Sequence, residues 1–336
     1  MRRIEWVDFG KGFTILFVVL SHVLDGLHKT AGLESYENVT KILMAVIFTF
    51  IMPVFFALSG YVYHPTQKIN RYFRNIGKKA INLFVPYVIF SVVYVVLQHL
   101  SGSVHTLYSW GSLLYIFKQP IGYLWFLYIL FFVFVLVGFL DLLKINMYLQ
   151  GLVYLLLFIG SQYISLPYVL SRTFTWTICF YIGFMIKQVH LEKKIQNVFF
   201  IIAAIVFLMG AIQQYFAGGD WYHTNLLLMG NFLTKISSIP IAFYFFSRLP
   251  KTSVFDYFVK YGKYSLIIYL IHAPVTSIVR VILLRVGLSN YFVLMVGITV
   301  ITWYVSVFVC WLSQKISLID MVFSPYKYIA QRKVPA

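Results

Sequence analysis

Ile42-Leu-Met-Ala-Val-Ile-Phe-Thr-Phe-Ile-Met-Pro-Val-Phe-Phe-Ala-Leu-Ser-Gly-Tyr61 runs for twenty residues without a charged side chain. As a helix it rises about 30 Å, the thickness of a bilayer's hydrocarbon core. An open sheet would leave backbone groups unpaired in lipid, and the alternating pattern of an outer-membrane barrel is absent. We therefore read a transmembrane helix over 40–63. Working outward, comparable stretches occupy 7–27, 82–100, 121–140, 147–163, 172–188, 195–216, 225–247, 264–284 and 290–312. The first has no small-residue cleavage site after it and reads as a retained helix. The expected fold class is all-α: a polytopic membrane helix bundle of about ten spans. It forms a single module over 1–336 with no appended soluble domain.

Composition agrees. The chain is 61% hydrophobic and 11% charged, against about 25% charged in soluble domains, and its mean hydropathy is +0.83. A net charge of +17 would suggest nucleic acid in a soluble protein. Here the basic residues fall in loops between apolar stretches, so the charge reports topology and no nucleic-acid partner is expected. Arg2 and Arg3 precede the first span. Lys68, Arg71, Arg74, Lys78 and Lys79 follow the second; Lys187, Lys193 and Lys194 follow the sixth. Arg248, Lys251, Lys260 and Lys263 follow the eighth, and Lys315, Lys327, Arg332 and Lys333 lie in the tail. Basic loops alternate with poor ones, which puts both termini in the cytoplasm; the membrane expected is the plasma membrane. The outer loop 101–120, with Trp110, Tyr115 and Phe117, lies in the interface or re-enters. Cys179 and Cys310 sit in apolar segments without metal-ligand spacing, and no metal is expected.

Ionisable groups within membrane helices are functional candidates by default. The first span holds Asp8, Lys11 and His22. Eleven residues at about 100° each return His22 to within about 20° of Lys11, three turns and about 16 Å further on. Asp8 lies about 40° away. The stripe suits an elongated ligand, held by charge at one end with chemistry deeper. A plainer arrangement, with Asp8 and Lys11 among headgroups and His22 as a packing residue, fits the same spacing. Arg71, Arg74 and Lys78 share one helix side, and arginine forks suit phosphate oxygens; anionic lipid would suit them too. Ser265, Tyr269 and His272 recur at i, i+4 and i+7 and share a face. Lys235 lies mid-span, and no acid in its own helix partners it.

These residues resemble a family. Arg3-Ile-Glu-Trp-Val-Asp8…Lys11-Gly12…Ser21-His22 is similar to the opening helix of the acyltransferase-3 membrane O-acyltransferases. Phe55-Phe56-Ala-Leu-Ser59-Gly60-Tyr61 resembles that family's second-helix ending. Arg71-Tyr-Phe-Arg74 followed by Pro86-Tyr87 resembles its cytoplasmic RxxR motif. Gly122-Tyr-Leu-Trp125-Phe126-Leu127 and Gly262-Lys-Tyr-Ser265…Tyr269…His272-Ala-Pro274 resemble its later motifs, in family order. The nearest flavour is the fucose-4-O-acetylase-like branch that modifies surface polysaccharides. Lys11 stands where many members have arginine; it keeps the charge and loses the fork.

The resemblance implies transfer of an acetyl group from cytoplasmic acetyl-CoA to a hydroxyl of a cell-surface or lipid-linked polysaccharide. Arg71, Arg74, Lys78 and Lys11 would hold the donor. His22 would be the general base, with Asp8 and Lys11 beside it in the catalytic set. Trp125 and Tyr123 would stack on a sugar ring, with Tyr269, His272 and Lys235 as further acceptor contacts. The rival is a transporter or flippase of a glycan or small solute, with Lys235, His22 and His272 marking the path. Assembly into a homo-oligomer is left open.

Overall fold

A computed structural model describes residues 3–101, 107–189, 192–217 and 226–331; Arg2, Arg332 and Lys333 lie outside them. The order is α1 (Glu5–His28), α2 (Glu37–Tyr61), α3 (Ile69–Ser101), α4 (Trp125–Leu142), α5 (Met147–Tyr163), α6 (Tyr168–Gln188) and α7 (Lys193–Ala217). Then follow α8 (Phe232–Arg248), α9 (Ser253–Gly262), α10 (Ser265–Arg285), α11 (Tyr291–Lys315), α12 (Ser317–Phe323) and α13 (Pro325–Gln331). No strand occurs among the described residues. Among the described residues, eight helices are long and apolar enough to cross a membrane: α1, α2, α3, α4, α6, α7, α10 and α11. α5 and α8 have 17 residues each, at the short end of the spanning range. The protein is an all-α, multi-pass helix bundle.

Three departures from the sequence reading concern boundaries. The basic stretch after α2, expected as a loop before a helix at 82, is the first third of α3. That helix has 33 residues and rises about 50 Å, some 20 Å more than a hydrocarbon core requires. Its excess carries Arg71, Arg74, Lys78 and Lys79. The eighth span begins at Phe232 and not at 225. Asn231 explains this: its side chain accepts from the Leu228 N–H at 2.9 Å and donates to the Leu226 carbonyl at 3.1 Å. Those bonds hold the preceding backbone out of helical form. Finally, α9, α12 and α13 are additional short helices. Thr252 caps α9 by accepting from the Phe255 N–H at 3.3 Å.

The chain forms two compact units. The first draws on 1–21, 36–65 and 144–265. Its α2 and α6 touch backbone to backbone. A Cβ added at Gly60 would stand 1.8 Å from the Phe180 carbonyl oxygen, and one at Gly183 would stand 1.9 Å from that of Ala57. Small residues allow this approach where no hydrophobic effect drives helices together. Phe56 and Trp176 stack beside the contact at 5.1 Å. α1 meets α9 in the same manner: a Cβ at Gly12 would meet the Phe258 carbonyl at 2.2 Å, and one at Gly262 that of Asp8 at 1.7 Å.

The second unit draws on 22–35, 66–143 and 266–336. Within it α3 packs on α4, α12 and α13. The segment before α4 enters this unit deeply. Trp110 stacks on His99 at 4.5 Å, near the end of α3. A few residues later Tyr87 donates to the Ile116 carbonyl at 2.5 Å, and Tyr128 donates to that of Phe117. Tyr87 lies twelve residues, or about 18 Å, before His99 along α3. Among the described residues of this loop, 110–117 thus run back alongside α3. The tyrosine hydroxyls satisfy carbonyls that non-helical backbone would otherwise leave open at depth.

Candidate active site

The second unit gathers His22, Tyr123, Tyr269 and His272, which come from α1, the turn before α4, and α10. The imidazoles of His22 and His272 lie 4.9 Å apart between centroids. Tyr123 stands 5.3 Å from His272 and 6.2 Å from His22. Tyr269 lies 5.6 Å from Tyr123 and 5.7 Å from His272.

The local sequence of α10 builds this cluster. Pro274 has no N–H, so the Leu270 carbonyl four residues earlier loses its helical donor. Tyr123 supplies the missing proton, its hydroxyl donating to Leu270 at 2.6 Å. Tyr269 donates in return to the Tyr123 carbonyl. The pair of bonds ties α10 to the turn before α4. That turn needs glycine at 122, where φ is +50°: the left-handed region disfavours a Cβ, and one would stand 3.2 Å from the Tyr94 ring. Tyr94 in turn lies 5.5 Å from Tyr123.

The two histidines differ. His272 is fully buried. Its Nδ1 lies 2.6 Å from the Tyr269 carbonyl and 3.2 Å from that of Ile268. Carbonyls only accept, so Nδ1 carries the proton and Nε2 carries a lone pair. That Nε2 is buried and has no partner among the described residues. His22 is half-buried, and its ring makes no hydrogen bond to a described residue. The arrangement is a fixed acceptor nitrogen beside an accessible imidazole.

The other predicted residues are placed as follows. Tyr123 is buried and its hydroxyl and carbonyl are both engaged, so it braces the histidines; Trp125 keeps partial exposure. Arg71 and Arg74 are exposed and line an open groove of about 490 Å³ with Lys68, Ile69 and Asn70. The first turn of α3 adds the positive end of its dipole there. Lys78 is turned to α13, its ammonium 5.2 Å from the Tyr326 ring, and does not line the groove. From Arg74 to Tyr94 is twenty residues of α3, or about 30 Å.

In the first unit Asp8 is buried, and its Oδ2 has no partner among the described residues. Lys11, one turn on, is half-buried and feels the Asp8 charge through space. Lys235, expected to need an anion, donates to the Leu226 carbonyl at 2.6 Å. The same carbonyl also accepts from the Asn231 side-chain amide at 3.1 Å.

The family model described as an acyltransferase domain matches residues 4–311. The chain belongs to the acyltransferase-3 family. An acyltransferase-3 match of that extent takes in all five motifs except the leading Arg3, from α1 through His272 and Pro274. The chain is also 30% identical over 125 residues to nodulation protein NolL of Sinorhizobium fredii, covering 36% of this chain and 32% of that protein. It thus spans about a third of that relative's length. No solved structure matches this acyltransferase-3 chain.

Proposed function

We propose that this protein is a plasma-membrane O-acetyltransferase that moves an acetyl group from acetyl-CoA to a hydroxyl of a cell-surface or lipid-linked polysaccharide. The observation that carries the reading is the histidine pair: His22 is accessible, beside the unprotonated Nε2 of a fixed His272. His22 takes the proton of the acceptor hydroxyl as its oxygen attacks the thioester carbonyl. The C–S bond breaks, and the imidazolium returns the proton to the CoA thiolate. We assign to His272 Nε2, unpartnered among the described residues, the role of accepting an N–H of His22 as that ring becomes imidazolium, which makes it a positioning residue. Arg71 and Arg74 hold donor phosphates in the groove, and the pantetheine arm extends along α3 toward Tyr94. Lys11, three turns before His22 on the same helix, is assigned to anionic donor groups, and Asp8, one turn earlier, orients it. Trp125 offers the exposed ring for a sugar. A transport path gains nothing from Lys235, whose buried ammonium is accounted for by the Leu226 carbonyl.

The test is direct. Purified full-length protein with labelled acetyl-CoA should release CoA thiol and place label on glycan. Glycan from cells lacking the protein should lose O-acetyl groups. Unlabelled glycan and intact thioester would sink the proposal.

Two further results are expected. Arg71→Ala or Arg74→Ala should raise KM for acetyl-CoA by about one to two decades, the worth of a charge-assisted contact, with KM for the glycan little changed. Donor kinetics equal to wild type in both variants would reduce the arginines to a topology signal. In the proposed orientation, cysteines at Ser165 and Ser289 should react with impermeant maleimide in intact cells. A cysteine at Lys251 should react only after permeabilisation. The native Cys179 and Cys310 are buried and leave a low background. Labelling at Lys251 from outside would overturn the orientation.

A further inference from the structure

Arg280 lies in α10, two turns beyond His272, and less than a tenth of its surface is exposed. Its guanidinium lies against α1 at Gly26: a Cβ there would stand 2.4 Å from Nη1 and 3.4 Å from Cζ. A Cβ at 26 would push the guanidinium out of this position. Among the described residues no carboxylate lies within ion-pair distance of Arg280, and none accepts a hydrogen bond from it. The nearby charge it feels is that of Asp25, and the neutral Tyr94 phenol lies in its surroundings. Asp25, however, is bound to Lys29 at 2.7 Å and is partly exposed. A guanidinium presents five donors in a planar fork and cannot discard its proton. Buried without acceptors, it is a costly feature unless something supplies them.

Its position says what supplies them. Gly26 is one turn, about 6 Å, beyond His22 on α1. Tyr94 touches Tyr123 at 5.5 Å, and Tyr123 touches the histidines. Arg280 therefore belongs to the same cluster as the proposed base. The donor's phosphates do not reach it if they sit at Arg71 and Arg74, because those side chains lie about 30 Å before Tyr94 along α3. The anion must arrive with the other substrate.

We infer that Arg280 is an oxyanion subsite for the acceptor, so that the glycan acetylated here carries a carboxylate or phosphate close to the reacting hydroxyl. A planar, two-oxygen group matches the guanidinium fork. The inference rests on the proposed acetyl transfer, but its binding step is measured without it.

The experiment uses purified full-length protein and three probes: methyl glucuronoside, glucose 1-phosphate and neutral methyl glucoside. Binding is read by saturation-transfer NMR titration, with no acetyl-CoA present. Wild type should bind one of the two anionic probes at least ten-fold more tightly than the glucoside; which one tells carboxylate from phosphate. Arg280→Gln should erase that preference, and Arg280→Lys should keep part of it. Gly26→Ala retains the charge but crowds the guanidinium, and it should weaken the same probe; it serves if Arg280→Gln does not fold. Equal binding of charged and neutral probes by wild type would overturn the subsite. So would an unchanged anion preference in the variants. Failure of acetyl transfer with the anion preference intact would instead count against the proposed reaction alone.

Discussion

Gly183→Val is expected to remove almost all folded protein, with monodisperse yield in mild detergent falling more than ten-fold. The Cβ alone would stand 1.9 Å from the Ala57 oxygen, 2.5 Å from its carbonyl carbon and 2.7 Å from its Cα. These are backbone atoms of a helix, so no rotamer change relieves the clash; α2 and α6 must move apart along their contact. Overpacking an ordinary core costs about 1–3 kcal/mol when side chains can adjust. Here they cannot, and in lipid nothing apolar is gained by closing the gap again. Gly60→Ala should act in the same direction, since its Cβ would meet the Phe180 oxygen at 1.8 Å. Gly77, with nothing within 4 Å of an added Cβ, is the control: Gly77→Ala should leave yield and melting temperature unchanged or slightly raised. A Gly183→Val protein that purified normally and melted like wild type would mean the two helices are not in backbone contact.

That contact shows what was legible in the sequence and what was not. Gly60 stood out in Ser59-Gly60-Tyr61 as part of a family-like motif, but Gly183 carried no signal, because one sequence does not tell which helix a small residue faces. The long apolar helices were legible because hydropathy over about twenty residues is a strong signal. The start of α3 was not. Lysine and arginine mark where the chain leaves hydrocarbon, and a helix can continue past that point into water, as Ile69 to Ile81 does. The start of α8 was missed for the opposite reason: Leu226 to Met229 are apolar, and only the Asn231 side chain keeps them from helical form.

The candidate site divides in the same manner. Periodicity placed His22 on one face of α1 and His272 on one face of α10, 250 positions apart. It could not say that those faces meet at 4.9 Å. The family resemblance implies that Tyr123 stacks on a sugar ring, whereas the carbonyl opened by Pro274 draws its hydroxyl inward. Arg280 lies in none of the family-like motifs, and the sequence reading singles out Lys235 and the histidines and not this arginine. Yet a buried charge in a membrane helix is the kind of residue that deserves a hypothesis by default.

The largest catalytic effect is expected at His22. A general base contributes about 10² to 10⁴ in rate, so His22→Ala should lower kcat by that factor while KM for acetyl-CoA stays near wild type. His22→Gln should do no better: its amide imitates one imidazole hydrogen bond but accepts no proton at neutral pH. Because the neutral imidazole is the active form, kcat/KM of wild type should rise with pH to a plateau, and that acid limb should vanish in His22→Gln. His272→Ala should cost less, about ten-fold, the size of one hydrogen bond to a group that becomes charged. It should keep an acid limb, displaced from that of wild type, because His22 still titrates. A structural defect alone would lower the amount of folded enzyme without moving the limb, so the pH profile separates positioning from folding. The decisive comparison is the order of the two losses. If His22→Gln retained near-normal acetylation while His272→Ala abolished it, the lone pair on His272 Nε2 would be the base and His22 its accessible partner.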